Sequence, residues 1–193
     1  MSNVTNRHTC VLYLTATCNL RCKYCYIDKS TVLQEIDKML IEHYKTDYFF
    51  NFMQEIFPDP AQLTRIEFWG GEPSYGLPRV IPTIKKAIAK YYNLHHFMMS
   101  TNLTTETWLN DFFSFIRVFK EFPERKFTFN LQLSLDGPTE INDENRGLGV
   151  TELFTKNFSK LLFNIDSLLE EVPNVTIRSY FKPTLNDDSI SKL

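Results

Sequence analysis

The chain has 193 residues, of which 43% are hydrophobic and 15% aromatic, and its formal charge at pH 7 is −2. A chain of this size can bury a substantial core, so we predict one globular domain over residues 1–193. The small net charge argues against a broad nucleic-acid footprint, and no apolar run approaches the roughly 20 residues of a membrane span. Four cysteines without a secretory segment predict a soluble, cytoplasmic protein.

Strand-like and helix-like segments alternate along the chain, an order that favours a parallel sheet covered by helices. The predicted strands are 9–16, 65–69, 96–101, 126–135 and 175–182. The predicted helices are 32–57, in which a break is allowed, 78–92, one that begins near residue 104 or 105, and 151–171. Only a short helical stub is expected after the last strand.

The predicted strand 126–135 alternates strictly between apolar and polar side chains. The polar positions are Thr128, Asn130, Gln132 and Ser134, and Asp136 continues the pattern just after the strand. A strand buried on both faces would be apolar throughout, so the pattern predicts helices on one side and a polar cleft on the other. We therefore predict an α/β fold, an incomplete parallel (β/α) barrel with a polar inner cleft. The alternative is an amphipathic strand that simply faces bulk water.

Three of the four cysteines, Cys18, Cys22 and Cys25, fall in the loop after the first predicted strand. Iron–sulfur clusters are held by cysteine thiolates, normally four, so three would leave a position for an external ligand. A structural zinc site completed by a histidine is the alternative, although zinc ligands usually come as two spaced pairs. The available histidines are His8, His43, His95 and His96. The remaining cysteine, Cys10, lies inside the first strand, where we expect it to pack.

Each of the first four predicted strands ends in a motif. The cysteine loop follows the first strand, the turn 70–73 follows the second, Thr101 and Asn102 end the third, and 134–137 ends the fourth. Active sites of parallel α/β folds gather at the carboxyl ends of the strands. We therefore expect these motifs to meet at one edge of the sheet.

The segments 17–26 (TCNLRCKYCY) and 68–73 (FWGGEP) resemble the radical S-adenosylmethionine (SAM) enzymes. The resemblance implies that Cys18, Cys22 and Cys25 hold a 4Fe-4S cluster whose open iron is bound by the amine and carboxylate of SAM. It places Tyr24 beside the adenine. The remaining cofactor-binding residues that it implies are Gly70, Gly71 and Glu72 near the methionine amino group, and Asn102, Ser134 and Asp136 near the adenosyl group.

The segment from Ser134 to Arg146 is similar to a signature of anaerobic sulfatase-maturing enzymes and related peptide maturases. Asn142 stands where histidine is usual in that signature. The resemblance implies that Arg146 pairs with the cofactor carboxylate, whereas the residue pattern alone would make it a solvated loop charge. The family barrel usually has six βα units, and the maturases add a cysteine-rich domain for auxiliary clusters. This chain has about five βα units. Cys10 is the one cysteine outside the loop, and one cysteine is too few for a second cluster.

The shorter length is consistent with a truncated or minimal relative, a product of domain dissection, or a chain whose exposed fifth strand is covered by a partner.

The resemblance implies a reductive cleavage of SAM to a 5′-deoxyadenosyl radical that takes hydrogen from a substrate, most favourably a peptide or protein side chain. It also implies an external electron donor. The candidate substrate contacts are Asn102, Asn130, Gln132, Arg178 and Tyr180, and no catalytic acid or base is assigned. Two alternatives stay open: small-molecule or nucleoside chemistry like that of carboxy-deazaguanine synthase, and a non-catalytic module that retains a cluster or zinc.

Overall fold

A computed structural model describes residues 8–27 and 31–181. These residues contain one sheet of five parallel strands in chain order, β1 to β5. The strands are β1 His8–Thr15, β2 Leu63–Gly70, β3 His96–Thr101, β4 Phe127–Leu133 and β5 Val175–Phe181. The prediction of a parallel sheet is confirmed. Lys182 and the expected helical stub lie outside the described residues.

Six α-helices connect and cover the described strands. They are α1 Thr31–Lys45, α2 Tyr48–Ile56, α3 Leu77–Lys90, α4 Trp108–Arg117, α5 Thr139–Arg146 and α6 Val150–Glu171, with single 3₁₀ turns at Pro73–Gly76 and Val118–Glu121. The long helix predicted over 32–57 is two helices. The Thr46 hydroxyl donates to the His43 carbonyl (3.0 Å) where α1 ends, a local bond that competes with helix continuation.

Helix α5 was missed, because its sequence is polar and has no apolar stripe from which a helix could be predicted. Helix α4 begins at Trp108, later than the predicted residue 104 or 105. The delay has a local cause, since the Asn102 side-chain oxygen accepts hydrogen bonds from both the backbone N–H (2.9 Å) and the hydroxyl (2.7 Å) of Thr104. These bonds hold Thr104 in the loop that follows β3.

The helices pack on the apolar outer face of the sheet. Phe68, Phe97 and Phe129 from three successive strands are fully buried there, with ring centroids of Phe68 and Phe129 6.4 Å apart. Phe112 and Phe115 of α4 meet the Phe129 ring edge-on at 5.3 and 5.8 Å. Each buried phenylalanine side chain contributes about 1.5–3 kcal/mol through removal from water, so this aromatic layer fixes the sheet against the helices.

The other face of the sheet forms the inner side of an incomplete barrel. Strand register aligns its residues in rows that cross the strands, one of which is Met98, Asn130 and Arg178, and the next Ser100, Gln132 and Tyr180. Polar residues dominate on β3 to β5, as predicted, while exposed Val11 and Trp69 add apolar surface near β1 and β2. Within the described residues β5 pairs only with β4, which leaves its outer edge open.

Among the described residues, no helix has the length and hydrophobicity required to span a bilayer.

Candidate functional site

The loop that carries the three cysteines is fastened at its base by Asp37 of α1. One carboxylate oxygen accepts from the Thr15 hydroxyl (2.7 Å) and the Ala16 N–H (2.8 Å), and the other from the Thr17 hydroxyl (2.6 Å). Burial raises the pKa of Asp37, but these bonds and the nearby Arg79 charge outweigh it and hold the pKa below its usual value. Sequence reasoning missed Asp37, because nothing marks one polar position of an amphipathic helix.

Cys18, Cys22 and Cys25 all line one cleft of about 370 Å³. Cys18 and Cys22 are half-buried and Cys25 is exposed, and the Cys25 N–H donates to the Cys22 carbonyl (3.1 Å) to form a tight turn. A cleft of this size lies in the range of small-molecule sites.

Within residues 8–27 and 31–181, no three histidine, cysteine or acidic side chains converge on a single metal position. A cubic iron–sulfur cluster does not need such convergence, because each thiolate binds a different iron atom. Three partly exposed thiols on one loop, facing one cleft, therefore suit the donor set of a cluster with an open iron.

The histidines of the zinc alternative do not share this position. His8 and His96 begin β1 and β3, at the amino ends of the strands, whereas the cysteine loop follows the carboxyl end of β1. A six-residue strand separates its two ends by about 20 Å. His43 stacks on Tyr48 (4.1 Å between centroids), and a ring nitrogen of His95 hydrogen-bonds the Lys126 carbonyl (2.9 Å).

The glycine turn after β2 lies directly against the base of the cysteine loop. A Cβ added to Gly70 would lie 2.3 Å from the Thr15 carbonyl oxygen, and one added to Gly71 would lie 2.5 Å from that of Thr17. The N–H groups of Gly71 and Glu72 donate to these same two carbonyls at 2.9 and 2.8 Å. The two glycines are therefore required for contact between two segments of the chain itself, in addition to any predicted ligand contact.

The Glu72 carboxylate joins the ends of β2 and β3. It is 1% exposed and accepts from the Asn102 N–H (2.7 Å), the Thr101 hydroxyl (2.8 Å) and the Ser74 N–H (3.2 Å). Burial raises the pKa of the Glu72 carboxyl, and these three hydrogen bonds oppose that increase. The carboxylate thus has structural partners before any cofactor is considered.

The Asn102 side chain links the end of β3 to the cysteine loop. Its amide nitrogen donates to the Asn19 side-chain oxygen (3.0 Å) and lies 3.8 Å from the Cys18 sulfur, while Asn19 in turn donates to the Thr104 hydroxyl (2.8 Å). The predicted meeting of the first three strand-end motifs is therefore observed.

The fourth motif is organised around Asp136, which is 3% exposed. Its carboxylate accepts from the Tyr24 hydroxyl (2.8 Å) and from two nitrogens of Arg146 (3.0 and 2.7 Å), and the Arg146 guanidinium lies 5.6 Å from the Tyr24 ring centre. The Asn142 side-chain oxygen accepts from the Asp136 N–H (3.0 Å), and its amide donates to the Thr151 hydroxyl (2.9 Å). Asn142 therefore orients Asp136 from a fully buried position.

The pattern-based alternative for Arg146, a solvated loop charge, is wrong. The side chain is 6% exposed, ends α5 and forms a two-pronged ion pair with Asp136. Because Asp136 already occupies one side of the guanidinium, the predicted contact with a cofactor carboxylate would use the remaining N–H groups.

Most of the predicted site residues meet in this cleft. Those that line it are Cys18, Cys22, Cys25, Gly70, Gly71, Glu72, Asn102, Gln132, Ser134 and Arg146. Asp136 lies beside the lining through its bonds to Arg146, and Tyr24 through its bond to Asp136. Asn130, Arg178 and Tyr180 lie farther along the inner face. Met98 and Trp69 also line the cleft and were not predicted there, although the two-residue alternation of their strands puts both on the inner face.

The chain is similar to known proteins at two levels, solved structures and a family model. The solved structure titled "Native anSMEcpe with bound AdoMet" is 22% identical, with a TM-score of 0.44 over 90% of this chain and 51% of that chain. "Native anSMEcpe with bound AdoMet and Cp18Cys peptide" is 21% identical, with a TM-score of 0.40 over 89% and 50%. The chain thus spans about half the length of these solved chains. No curated protein matches significantly.

A family model described as the Radical SAM superfamily matches residues 12–193, which include the cysteine loop and every motif of the cleft. The chain therefore belongs to the radical SAM superfamily, enzymes that use a 4Fe-4S cluster and S-adenosylmethionine.

Proposed function

We propose that residues 1–193 form one radical SAM domain that modifies a side chain of a peptide or protein. The observation that carries the proposal is that three cysteines and the glycine turn, from different strand ends, line one cleft. When bound there, the cluster and SAM would supply reductive cleavage of the sulfonium and removal of a hydrogen atom from the substrate. The peptide class is supported by the Ser134 to Arg146 signature alone.

The residues of the cleft divide into two groups in this proposal. Cys18, Cys22 and Cys25 would hold the cluster, with Gly70, Gly71 and Glu72 at the methionine end of SAM. Tyr24, Asn102, Ser134 and Asp136 would hold the adenosyl end. Arg146 would bind the carboxylate at the methionine end through the N–H groups that Asp136 leaves free. Their mutual hydrogen bonds keep these groups in place before a cofactor binds, so little reorganisation is required on binding.

The substrate would approach along the inner face of the sheet, toward the cysteine-lined end of the cleft. The chain supplies position there, because a hydrogen atom must be held close to the cofactor for efficient transfer. We further propose that an external electron donor approaches the exposed Cys25 side of the loop, and that another strand or a partner chain covers the open edge of β5.

The test is anaerobic reconstitution with iron and sulfide, followed by SAM and dithionite and measurement of 5′-deoxyadenosine and methionine. We expect both products, and we expect a deuterated peptide extract to transfer label into 5′-deoxyadenosine. Label transfer from a metabolite or nucleoside fraction instead would favour the small-molecule alternative. A fully loaded cluster that yields no 5′-deoxyadenosine would identify a non-catalytic module, and a protein that takes up only zinc would contradict the cofactor assignment.

A further inference from the structure

Charged side chains are distributed unevenly over the inner face of the sheet. Strands β3, β4 and β5 contain no aspartate or glutamate, yet β5 carries Arg178 on the inner face. Strand β2 carries both Arg65 and Glu67, whose guanidinium and carboxylate are 3.0 Å apart. The charge of Arg65 is therefore compensated on β2, whereas β3, β4 and β5 provide no carboxylate for Arg178.

Arg178 is exposed, and the described residues provide its guanidinium with neither a salt bridge nor a hydrogen bond. Its neighbour in register on β4, Asn130, is half-buried and likewise makes no side-chain hydrogen bond with another described residue. Arg178 lies on the inner face of the sheet, the same face that carries the cleft-lining Gln132. Two unengaged donors thus lie side by side on the inner face, in the row next to the one that contains the cleft-lining Gln132.

The neighbouring row of the inner face, which contains Gln132 and Tyr180, adds a third donor. The Tyr180 hydroxyl donates to the Gln132 side-chain oxygen (3.2 Å), so the amide N–H groups of Gln132 remain available to a ligand. Gln132 is 7% exposed and lines the cleft that the cysteines share. Arg178 is two residues before Tyr180 on β5, which places it about 7 Å farther from the cysteine-lined end.

We propose that Arg178, Asn130 and Gln132 form a carboxylate-binding subsite, and that the substrate is a peptide with an acidic side chain or a terminal carboxylate. This inference rests on the proposed function. A guanidinium binds a carboxylate through two parallel hydrogen bonds, and the flanking amides supply further donors. Among the described residues Arg178 has no carboxylate partner, so its single positive charge matches one carboxylate, whereas a phosphate dianion carries twice that charge.

In this proposal the substrate is bound at one place on the inner face and reacts at another. A carboxylate held at Arg178 leaves the rest of the substrate to extend past Gln132 toward the three cysteines. The subsite therefore determines which substrate binds and how far along the cleft its reactive hydrogen lies. Arg178 acts as a specificity-determining residue in this proposal and makes no contact with the cofactor.

The experiment uses the reconstituted protein with SAM and two matched peptides, Ac-Gly-Ala-Glu-Ala-Gly-NH₂ and its glutamine counterpart, titrated by calorimetry. We expect the glutamate peptide to bind about tenfold more tightly, an advantage that shrinks in salt because the site is partly exposed. Arg178→Gln should abolish the preference and Arg178→Lys should retain part of it. The matched control is Arg117→Gln, which removes the same charge from the outer helix layer and should leave the preference unchanged.

Equal binding of the two peptides by the unmodified protein, or a preference that survives Arg178→Gln, would overturn the subsite. Inorganic phosphate that displaces the glutamate peptide about tenfold better than acetate does would overturn the carboxylate assignment. Dithionite-driven 5′-deoxyadenosine formation, measured in the same samples, separates this inference from the proposed function. Cleavage of SAM without peptide preference removes the subsite alone, whereas preference without cleavage supports the subsite and removes the proposed function alone.

Discussion

The rim of the cleft and the β4–β5 part of its inner face differ in how far their polar side chains are engaged within the protein. At the rim, which comprises residues 16–27, 70–76, 101–105 and 134–146, the carboxylates of Glu72 and Asp136 each accept three hydrogen bonds. On the inner face, the side chains of Asn130 and Arg178 make none with other described residues, and Gln132 accepts a single bond, from Tyr180. One region is already organised and the other has free donors.

This difference suggests how the two regions are used. A cofactor that every turnover requires is served best by groups that are fixed in advance, because their ordering is then complete before binding. A substrate subsite must exchange its ligand, so its donors bond to water when no substrate is bound. The rim should therefore respond to substitution as a coupled unit, and Asn130 and Arg178 as independent positions.

The largest effect is expected at the cysteines. Cys22→Ser should remove the cluster and all 5′-deoxyadenosine formation, because Cys22 is one of three thiols facing the cleft and serine is a poor ligand for iron in such clusters. Iron and sulfide content and product formation are the measurements.

Cys10→Ser is the matched control, because burial raises the pKa of Cys10 to about 11 and its thiol therefore stays protonated at neutral pH. This variant should keep its cluster. Equal loss of iron in both variants would contradict the assignment of the cysteine loop.

The next effect concerns the buried ion pair of the rim. Asp136→Asn leaves the 6%-exposed Arg146 without its countercharge, which should cost about 3–5 kcal/mol in the free energy of unfolding. Glu171→Gln breaks the Arg117 pair, whose side chains are 44% and 42% exposed, and should cost less than about 1 kcal/mol. Urea unfolding under anaerobic conditions measures both. Similar costs for the two variants would show that Arg146 is solvated after all.

A pair of identical substitutions then compares the two regions directly. Asn142→Ala removes the acceptor of the buried Asp136 N–H and should cost about 1–3 kcal/mol, whereas Asn130→Ala should stay within about 0.5 kcal/mol. Asn142→His, which restores the usual residue of the maturase signature, should recover part of the loss because a ring nitrogen can accept the same bond. If Asn130→Ala proved as costly, the inner face would not be a set of independent donors.

The parallel sheet and the cysteine loop could be predicted because each is encoded locally. The alternation of apolar and polar residues in 126–135 indicates a strand with one buried face, and Cys18, Cys22 and Cys25 lie within a single loop. Helix α5 could not be predicted in this way, since no apolar stripe marks it. Its position depends on bonds between residues close in the sequence but buried only in the fold, such as Asn142 to Thr151.

The rim network was beyond sequence reasoning for a related reason. The Asp37 bonds to Thr15 and Thr17 span 22 and 20 residues, and the bond from Tyr24 to Asp136 spans 112. A hydrogen bond between distant residues leaves no periodic signal in either segment. The family resemblance identified Tyr24, Asp136 and Arg146 as cofactor contacts, which stays a prediction, but did not indicate that they bond to one another.

The smallest effect is expected at Asp37, which attaches the rim to α1. Asp37→Asn keeps one acceptor oxygen and loses the charge, so it should cost about 1 kcal/mol near neutral pH. Hydrogen bonds hold the folded-state pKa of Asp37 below its ordinary value of about 3.9, so its stabilising contribution is complete above that value and disappears as the pH falls through the lower, folded-state pKa.

The stability difference between the unmodified protein and Asp37→Asn should therefore be constant from neutral pH down to about 5 and vanish at more acidic pH. Urea unfolding of the metal-free protein as a function of pH measures it, with Asp166→Asn on the exposed side of α6 as the matched control. A difference that grew on acidification would mean that Asp37 is protonated in the folded state. The hydrogen bonds from Thr15, Ala16 and Thr17 would then not be bonds to a carboxylate, and the cysteine loop would lack this attachment.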